Sequence, residues 1–376
     1  MGEVRTIDRR GNLKGLRLII AGGGTGGHIF PGLAVGKELI KRHPGSEILF
    51  VTGYRRIEDD ILREAGINRV PITVEGIKGR GLRGTIRSAV KLPLGFLQSI
   101  LIIRRFSPDF VLGVGGYSAG PVCLAARLMG VRTAIHEQNS FPGITNRLLA
   151  RVVDRVFISF EESGSHFPKD KVRLTGDPVR EEFLGIREGN KGRTGGFTIL
   201  VTGGSQGASA INRTFIKALK KIKDMGRTPR VIHQTGQADY ESAVEGYREM
   251  GIEADVRPFI NDMHIAYRQA DIVIGRSGAG TVFELAAMGK PSILIPFPQA
   301  ADDHQTANAR MLAHAGGAII IPQDELDPDR LAGVLTGLMD DSPSLEKMAE
   351  LALKTARPEA AKDIADGIEE MIGIKL

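Results

Sequence analysis

Two glycine-rich turns, one in each half of the chain, each follow a short apolar run. The first is LRLIIAGGGTGGHIFPG, with its glycines between Gly22 and Gly27; the second is FTILVTGGSQGAS, with glycines at 203, 204 and 207. Glycine after a strand permits a tight turn and brings bare N–H groups close to a phosphate at a helix N-terminus. One such turn in each half predicts two nucleotide-binding-type domains facing each other across a cleft. His28, directly after the first turn, marks that cleft as a place for chemistry.

A chain of 376 residues has room for two such domains, and 42% hydrophobic with 25% charged residues is ordinary globular composition. The single cysteine, Cys123 in PVCLAARLMG, excludes an internal disulfide, suits a reducing compartment and reads as a buried, inert thiol. The polar leader, residues 1–15, lacks the apolar core of a secretory signal, and no run approaches the ~20 apolar residues of a membrane span. A cytoplasmic protein is expected.

The net charge of +6 conceals an asymmetry: residues 1–177 carry 27 Lys/Arg against 16 Asp/Glu, and residues 178–376 carry 23 against 28. The first half is thus suited to an anionic partner. Its longest acid-free basic window, 76–108, holds Lys78, Arg80, Arg83, Arg87, Lys91, Arg104 and Arg105, interleaved with Leu82, Ile86, Leu92, Leu94, Phe96 and Leu97. Trp is absent, aromatics make up 5% and no nucleic-acid-binding signature occurs, so nucleic acid is not the expected partner. Apolar bulk beside Lys/Arg is what an anionic membrane surface requires. The same pattern also describes a buried helix with solvated basic ends.

Apolar runs alternate with helical stretches through both halves, which predicts an α/β chain with two doubly wound parallel sheets. Five strands are read in the first half (16–21, 48–52, 110–113, 133–136, 155–158). Six are read in the second (198–202, 230–235, 254–258, 272–275, 292–295, 318–321). Residues 178–196 lack periodicity and read as a linker between domains at 16–177 and 197–350; a helical tail at 351–376 follows, with a break at Pro358. Ligands of such sheets sit beyond the carboxyl ends of the strands. GGGTGGH, GVGGYSAG, HEQN, TGDPVR, GGSQGA, RSGAGT and PFPQAADDHQ all fall there.

Gly22, Gly24 and Gly27 satisfy G-x-G-x-x-G, which raises a dinucleotide-binding dehydrogenase. That enzyme needs an acidic residue at the end of the second strand to hold the ribose diol. Here the strand ends in Thr52–Gly53–Tyr54, and Arg55 and Arg56 leave only an NADP variant open. No Gly-Lys-Ser/Thr follows, so the turn is not a Walker A; tight strand–helix packing is the plain alternative. His28 precedes Pro31, read as a first-turn proline. A positive helix end favours the neutral imidazole and suits a general base, while a histidine that only caps or packs is the alternative. In RSGAGTVFELAAMGKP, Glu284 lies one turn behind a Gly-rich turn, where amides can face a diphosphate and a carboxylate can accept from both ribose hydroxyls. A solvated helix glutamate is its plain reading. Asp302–Asp303–His304–Gln305 either caps a helix or hydrogen-bonds a sugar. HEQN lacks the second histidine of a zinc site, so no metal is expected.

Read in order, GGTGGHIFPGLAV (23–35), GVGGYSAGP (113–121), HEQNSFPGITN (136–146), TGDPVR (175–180), VTGGSQGA (201–208) and RSGAGTVFE (276–284) resemble the MurG family of GT-B glycosyltransferases. These are the UDP-N-acetylglucosamine:lipid I N-acetylglucosaminyltransferases of bacterial peptidoglycan synthesis, and the resemblance spans about residues 16–350. It implies a GT-B fold with two Rossmann-like domains facing a central cleft. It implies inverting transfer of GlcNAc from UDP-GlcNAc to the 4-hydroxyl of MurNAc in lipid I, an undecaprenyl diphosphate, giving lipid II for the cell wall that underlies cell shape and division. It further implies a peripheral enzyme at the cytoplasmic face of the membrane, with no required cofactor (a divalent cation at most stimulatory) and other cell-wall synthesis proteins as partners.

Position by position, the resemblance places Thr25, Gly26 and Gly27 in the first turn, near the acceptor and the donor's sugar side, and makes His28 the base. Asn139, Arg180 and Ser205 match donor contacts, Ile260 the residue whose backbone reads uracil, and Gln305 a sugar contact. Ala279, Gly280, Thr281 and Glu284 match the turn and helix for diphosphate and ribose. Gly115, Gly116 and Tyr117 fall on the acceptor side, and the basic–apolar window from Lys78 to Leu97 on the membrane side. Gly280 and Phe283 depart from the pattern, since other members often have a larger apolar residue at the first and a smaller one at the second. The rival readings are another GT-B member, such as a UDP-GlcNAc 2-epimerase, and a UDP-sugar-binding membrane adaptor without turnover.

Overall fold

The computed structural model describes residues 15–24, 26–54, 56–74, 81–184 and 196–374, without the side chains of residues 56, 57 and 81–91. The chain divides into two compact units. One ends at Arg180 and is completed by the segment from Pro358 onwards; the other runs from Glu181 to Arg357.

In the first unit, β1 (Arg17–Ala21), β2 (Glu47–Thr52), β3 (Asn68–Pro71), β4 (Phe110–Gly113), β5 (Arg132–Glu137), β6 (Arg155–Ile158) and β7 (Val172–Leu174) form a parallel sheet. Their order is β3-β2-β1-β4-β5-β6-β7. Between them run α1 (Gly26–Arg42), α2 (Arg56–Glu64), α3 (Gly81–Phe106), α4 (Ala119–Leu128) and α5 (Ile144–Leu149). Strands covered on both faces must be apolar nearly throughout, and RLIIA and EILFVT are. Alternate residues feed two separate layers: Ile19, Val111, Ile135 and Val156 share one buried cluster, while Leu18, Ile20, Leu112 and Phe157 share the other. The sequence reading lacked β3 and β7. NRVP and VRL are short, polar sheet edges with little apolar content to announce them.

The second unit repeats the plan. β8 (Thr198–Thr202), β9 (Arg230–Gln234), β10 (Ala254–Arg257), β11 (Ile272–Gly275), β12 (Ser292–Leu294) and β13 (Ala318–Ile320) lie in the order β10-β9-β8-β11-β12-β13. Helices α6 (Ser209–Asp224), α7 (Tyr240–Met250), α8 (Met263–Gln269), α9 (Ala279–Ala287), α10 (His304–Ala315), α11 (Pro328–Asp340) and α12 (Ser342–Lys354) complete it. In both sheets the order reverses beside the strand that carries the glycine turn, at β1/β4 and β8/β11. Such a reversal opens the crevice in which open α/β sheets bind ligands.

The last helix, α13 (Ala360–Met371), returns to the first unit and packs on α1. Arg42 pairs with Glu38, Asp366 and Glu369, and His43 Nε2 lies 2.7 Å from the fully buried Glu369. These acids hold the Arg42 guanidinium above its ordinary range against the cost of burial.

Two buried histidines predict a loss of stability in acid. His233 Nε2 lies 3.0 Å from Asn212 Oδ1 and Nδ1 2.7 Å from Tyr247 Oη. Asn212 Nδ2 donates to the Thr235 carbonyl, which turns Oδ1 towards the ring, so Nε2–H donates and Nδ1 accepts from the tyrosine. Burial lowers His233, and likewise His136, from 6.5 to about 4. The unfolded chain therefore binds these protons first. Stability is full above pH 6.5 and falls as the pH drops towards 4, by up to about 3 kcal/mol per histidine. Melting temperatures recorded from pH 7 to 4 should decline over that window, less steeply in His233→Gln; a flat profile would refute the assignment.

Candidate active site

The first glycine turn leaves β1 with Gly24 at φ +101° and leads into α1. Glu58 of α2, 1% exposed, reaches under it: Gly24 N–H donates to Glu58 Oε1 at 2.5 Å, and Arg69 lies 3.6 Å from Oε2. A Cβ at Gly23 would come within 2.7 Å of the same carboxylate oxygen, so glycine is required there for the close approach. The dehydrogenase reading fails on this point. The amide that would face a pyrophosphate is taken by a buried carboxylate, which repels one.

Helix α1 begins at Gly26, earlier than a first-turn Pro31 would place it. His28 is its third residue, and Pro31 lies in the second turn, not the first. The proline ring removes the N–H that would bond the Gly27 carbonyl. His28 is half-buried, with Nδ1 3.3 Å from Gln138 Oε1. Gln138 Nε2 donates to the Val114 carbonyl at 2.9 Å and lies 3.1 Å from His136 Nδ1. His136 Nε2 lies 3.2 Å from the Gly176 carbonyl, 3.1 Å from Ser159 Oγ and 3.9 Å from Asp177 Oδ1.

The GVGGYS turn after β4 closes on this group. Gly115 and Gly116 have φ of +93° and +79°; a Cβ on Gly115 would sit 2.8 Å from His28 Nδ1, and one on Gly116 2.3 Å from the Gly23 carbonyl oxygen. Tyr117 beyond them is exposed. The Arg180 guanidinium stacks over Phe30 of α1, 4.6 Å from the ring centroid. Thus the first unit collects Gly26, Gly27, His28, Gly115, Gly116 and Arg180 around the start of α1. Thr25 lies outside the described residues.

In HEQN, His136 and Glu137 point to different partners. Glu137 Oε1 accepts from Asn139 N and Nδ2, and Oε2 from Gly143 N and Asn146 Nδ2. Its carboxyl is pushed upward by burial and held back by these bonds. Among the described residues, no three His, Cys, Asp or Glu are grouped to hold a metal ion. Cys123 is fully buried, its thiol pushed up to about 12 by burial, and carries no chemistry.

In the second unit, the turn after β8 carries Gly204 at φ +81° and Gly207 at φ +74°, with Ser205 exposed between them. A Cβ on Gly207 would lie 1.9 Å from the Thr235 carbonyl oxygen, so two turns meet backbone to backbone. Buried Gln234 ties them to the next: its Nε2 donates to the Gly204 carbonyl at 2.9 Å and its Oε1 accepts from Ile260 N at 2.8 Å. The turn after β11 enters α9 through Gly278. Along α9, Ala279, Val282, Phe283, Leu285 and Ala286 are buried, whereas Gly280, Thr281 and Glu284 are only half-buried and share one face. A Cβ on Gly280 would meet nothing within 4 Å. Gln305, at the start of α10, accepts from Phe297 N through Oε1, and its carbonyl accepts from Ser277 Oγ. Gln138, Glu58 and Gln234 were not singled out by the sequence; each acts through a partner at least 26 residues away.

On α3, Leu92, Leu94 and Leu97 are exposed, as is Leu101 one turn on. Phe96 instead packs against the core of its unit and so does not belong with them. Lys78 and Arg80, and the side chains of Arg83, Arg87 and Lys91, lie outside the described residues. No helix among the described residues is long and apolar enough to cross a membrane.

Comparison with known proteins identifies the family. Residues 18–158 match the glycosyltransferase family 28 N-terminal domain and residues 198–365 the family 28 C-terminal domain. A curated relative from Syntrophus aciditrophicus (strain SB) is 45% identical over 95% of this chain and 99% of its own length. It is a UDP-N-acetylglucosamine--N-acetylmuramyl-(pentapeptide) pyrophosphoryl-undecaprenol N-acetylglucosamine transferase. The crystal structure of Acinetobacter baumannii MurG superposes with a TM-score of 0.77 at 33% identity, covering 94% of this chain and 99% of that one. A UDP-GlcNAc 2-epimerase from Neisseria meningitidis, bound to UDP-GlcNAc, reaches a TM-score of 0.66 over 94% of this chain and 100% of that one; at 14% identity it shares the fold alone. The protein is a sugar transferase of the GT-B fold, and it belongs to the MurG family within glycosyltransferase family 28.

Proposed function

We propose that the protein transfers GlcNAc from UDP-GlcNAc, with inversion, to the 4-hydroxyl of MurNAc in lipid I, giving lipid II. The observation that carries the reading is the placement of His28: half-buried at the start of α1, hydrogen-bonded through Nδ1 and packed against the turn that presents Tyr117. On the second unit, Ser205 and the half-buried stripe of α9 serve the donor. As the glycosidic bond breaks, charge grows on the UDP oxygen, and the first-turn amides of α9 with the helix dipole would take that charge. Glu284 accepts from the ribose hydroxyls. The Ile260 N–H is engaged by Gln234, so the uracil contact falls to its carbonyl. Gln305 Oε1 is likewise engaged, by Phe297 N, and its Nε2–H groups serve the sugar. On the first unit, His28 Nε2 takes the proton of the attacking hydroxyl; Asn139 and Arg180 serve the donor's sugar side.

The reaction so described needs no metal. A single incubation with UDP-GlcNAc and a lipid-linked MurNAc acceptor, with and without chelator, tests it. Transfer in both tubes is expected; release of epimerised free sugar would favour the epimerase, and binding of UDP-GlcNAc without transfer to any lipid acceptor would favour an adaptor. The acceptor is a membrane lipid, so the α3 leucines and the basic window would face the cytoplasmic leaflet. Reversal of Arg80, Arg83 and Arg87 to Glu should reduce binding to anionic liposomes and spare UDP-GlcNAc binding, since each basic residue near such a surface contributes about 1 kcal/mol. Equal liposome binding removes the patch from that role.

A further inference from the structure

We propose that Gln138 is a positioning residue for His28: its amide holds the imidazole in the Nδ1–H tautomer, so that Nε2 carries the lone pair. The proposal deepens the assignment of His28 as base and rests on it.

The direction of the hydrogen-bond chain follows from its carbonyl ends. The Val114 carbonyl can only accept, and it receives Gln138 Nε2 at 2.9 Å. That contact fixes the rotation of the amide, because the flipped form would set two carbonyl oxygens against each other. With Nε2 there, Oε1 faces His28 Nδ1 at 3.3 Å and can only accept, so Nδ1 bears the hydrogen. A second contact locks the same orientation. The other Nε2 hydrogen points to His136 Nδ1 at 3.1 Å, which must be a lone pair, and His136 Nε2–H then donates to the Gly176 carbonyl at 3.2 Å. Burial keeps His136 neutral and therefore able to accept. Gln138 is itself 3% exposed, so its amide is committed to these partners. Gly115 completes the seat, since any side chain there would press on His28 Nδ1. The choice of an amide over a carboxylate matters. A carboxylate at Nδ1–H would stabilise the imidazolium and keep the base protonated to higher pH, whereas a neutral oxygen fixes the tautomer with little of that effect.

The test reads tautomer and rate separately. Long-range 1H–15N correlation spectra of the imidazoles, assigned with His28→Ala, should show His28 as Nδ1–H in the native chain and as Nε2–H or a mixture in Gln138→Met. Gln138→Met should lower kcat about 10–100-fold, the usual scale for losing a group that orients a ligand side chain, with UDP-GlcNAc affinity unchanged. His28 found as Nε2–H in the native chain, or Gln138→Met with native kcat and native tautomer, overturns the proposal. Near-native turnover in His28→Ala would instead remove the base assignment, and the spectra would still decide what Gln138 does.

Discussion

Replacing His28 with alanine should lower turnover of UDP-GlcNAc onto a lipid-linked MurNAc acceptor by at least about 100-fold while UDP-GlcNAc binds as before. The acceptor 4-hydroxyl is a poor nucleophile until its proton is taken, and a positioned base contributes roughly 10²–10⁴-fold to such a step. His28 sits in the third position of α1, where alanine is an excellent helix former. The substitution therefore leaves the backbone in place and removes only the imidazole. The residues proposed for the donor on the second unit are untouched by it, which predicts a fall in kcat at constant donor affinity. Single-turnover measurements with saturating donor check this. Near-normal turnover would assign the acceptor proton to another group, and a parallel loss of donor affinity would make His28 a donor contact instead.

What could be read from the sequence is set by the range over which each interaction acts. The two glycine turns announce themselves because strand, turn and helix are contiguous, and the strand order places both at the reversal points of their sheets. The start of α1 was misplaced because Gly26 and Gly27 resemble loop and Pro31 resembles a first-turn residue. Near an N-terminus, a proline costs only one backbone hydrogen bond, and the helix runs through it. The candidates that sit in an evident local motif, His28, Ser205 and Glu284, can be named from the sequence alone. Glu58 was not, since its acid group sits in RIEDD like any first-turn carboxylate and its partner Gly24 is 34 residues back. Gln138 lies inside the quoted HEQN motif, yet its meaning depends on His28, 110 residues away. The return of α13 to the first unit depends on contacts such as Arg42 to Glu369, across 327 residues. Nothing local in ADGIEEM distinguishes that helix from an exposed tail.

Replacing Glu284 with alanine should weaken UDP-GlcNAc binding by about 1.5–3 kcal/mol, the range for a hydrogen bond to a charged group, which is roughly 10–150-fold in Kd. The face of α9 carries the argument. Five of its nine residues are buried, and the half-buried stripe of Gly280, Thr281 and Glu284 places a carboxylate one turn behind the N-terminal amides. A diphosphate at those amides puts the adjoining ribose alongside the next turn, within reach of a side chain pointing back towards the helix start. Gly280 presents no side chain in between, and a Cβ placed there would meet nothing within 4 Å. A carboxylate can accept from both ribose hydroxyls at once. Glu284→Gln keeps one acceptor and loses the charge, so its effect should be smaller than that of alanine. The decisive comparison is calorimetric titration of both variants with UDP-GlcNAc and with its 2′-deoxyribose analogue. If Glu284 holds the diol, the native chain loses affinity for the analogue, and Glu284→Ala binds the two donors about equally. Unchanged affinity for UDP-GlcNAc in Glu284→Ala would reduce this glutamate to a surface charge and move ribose recognition elsewhere on the second unit.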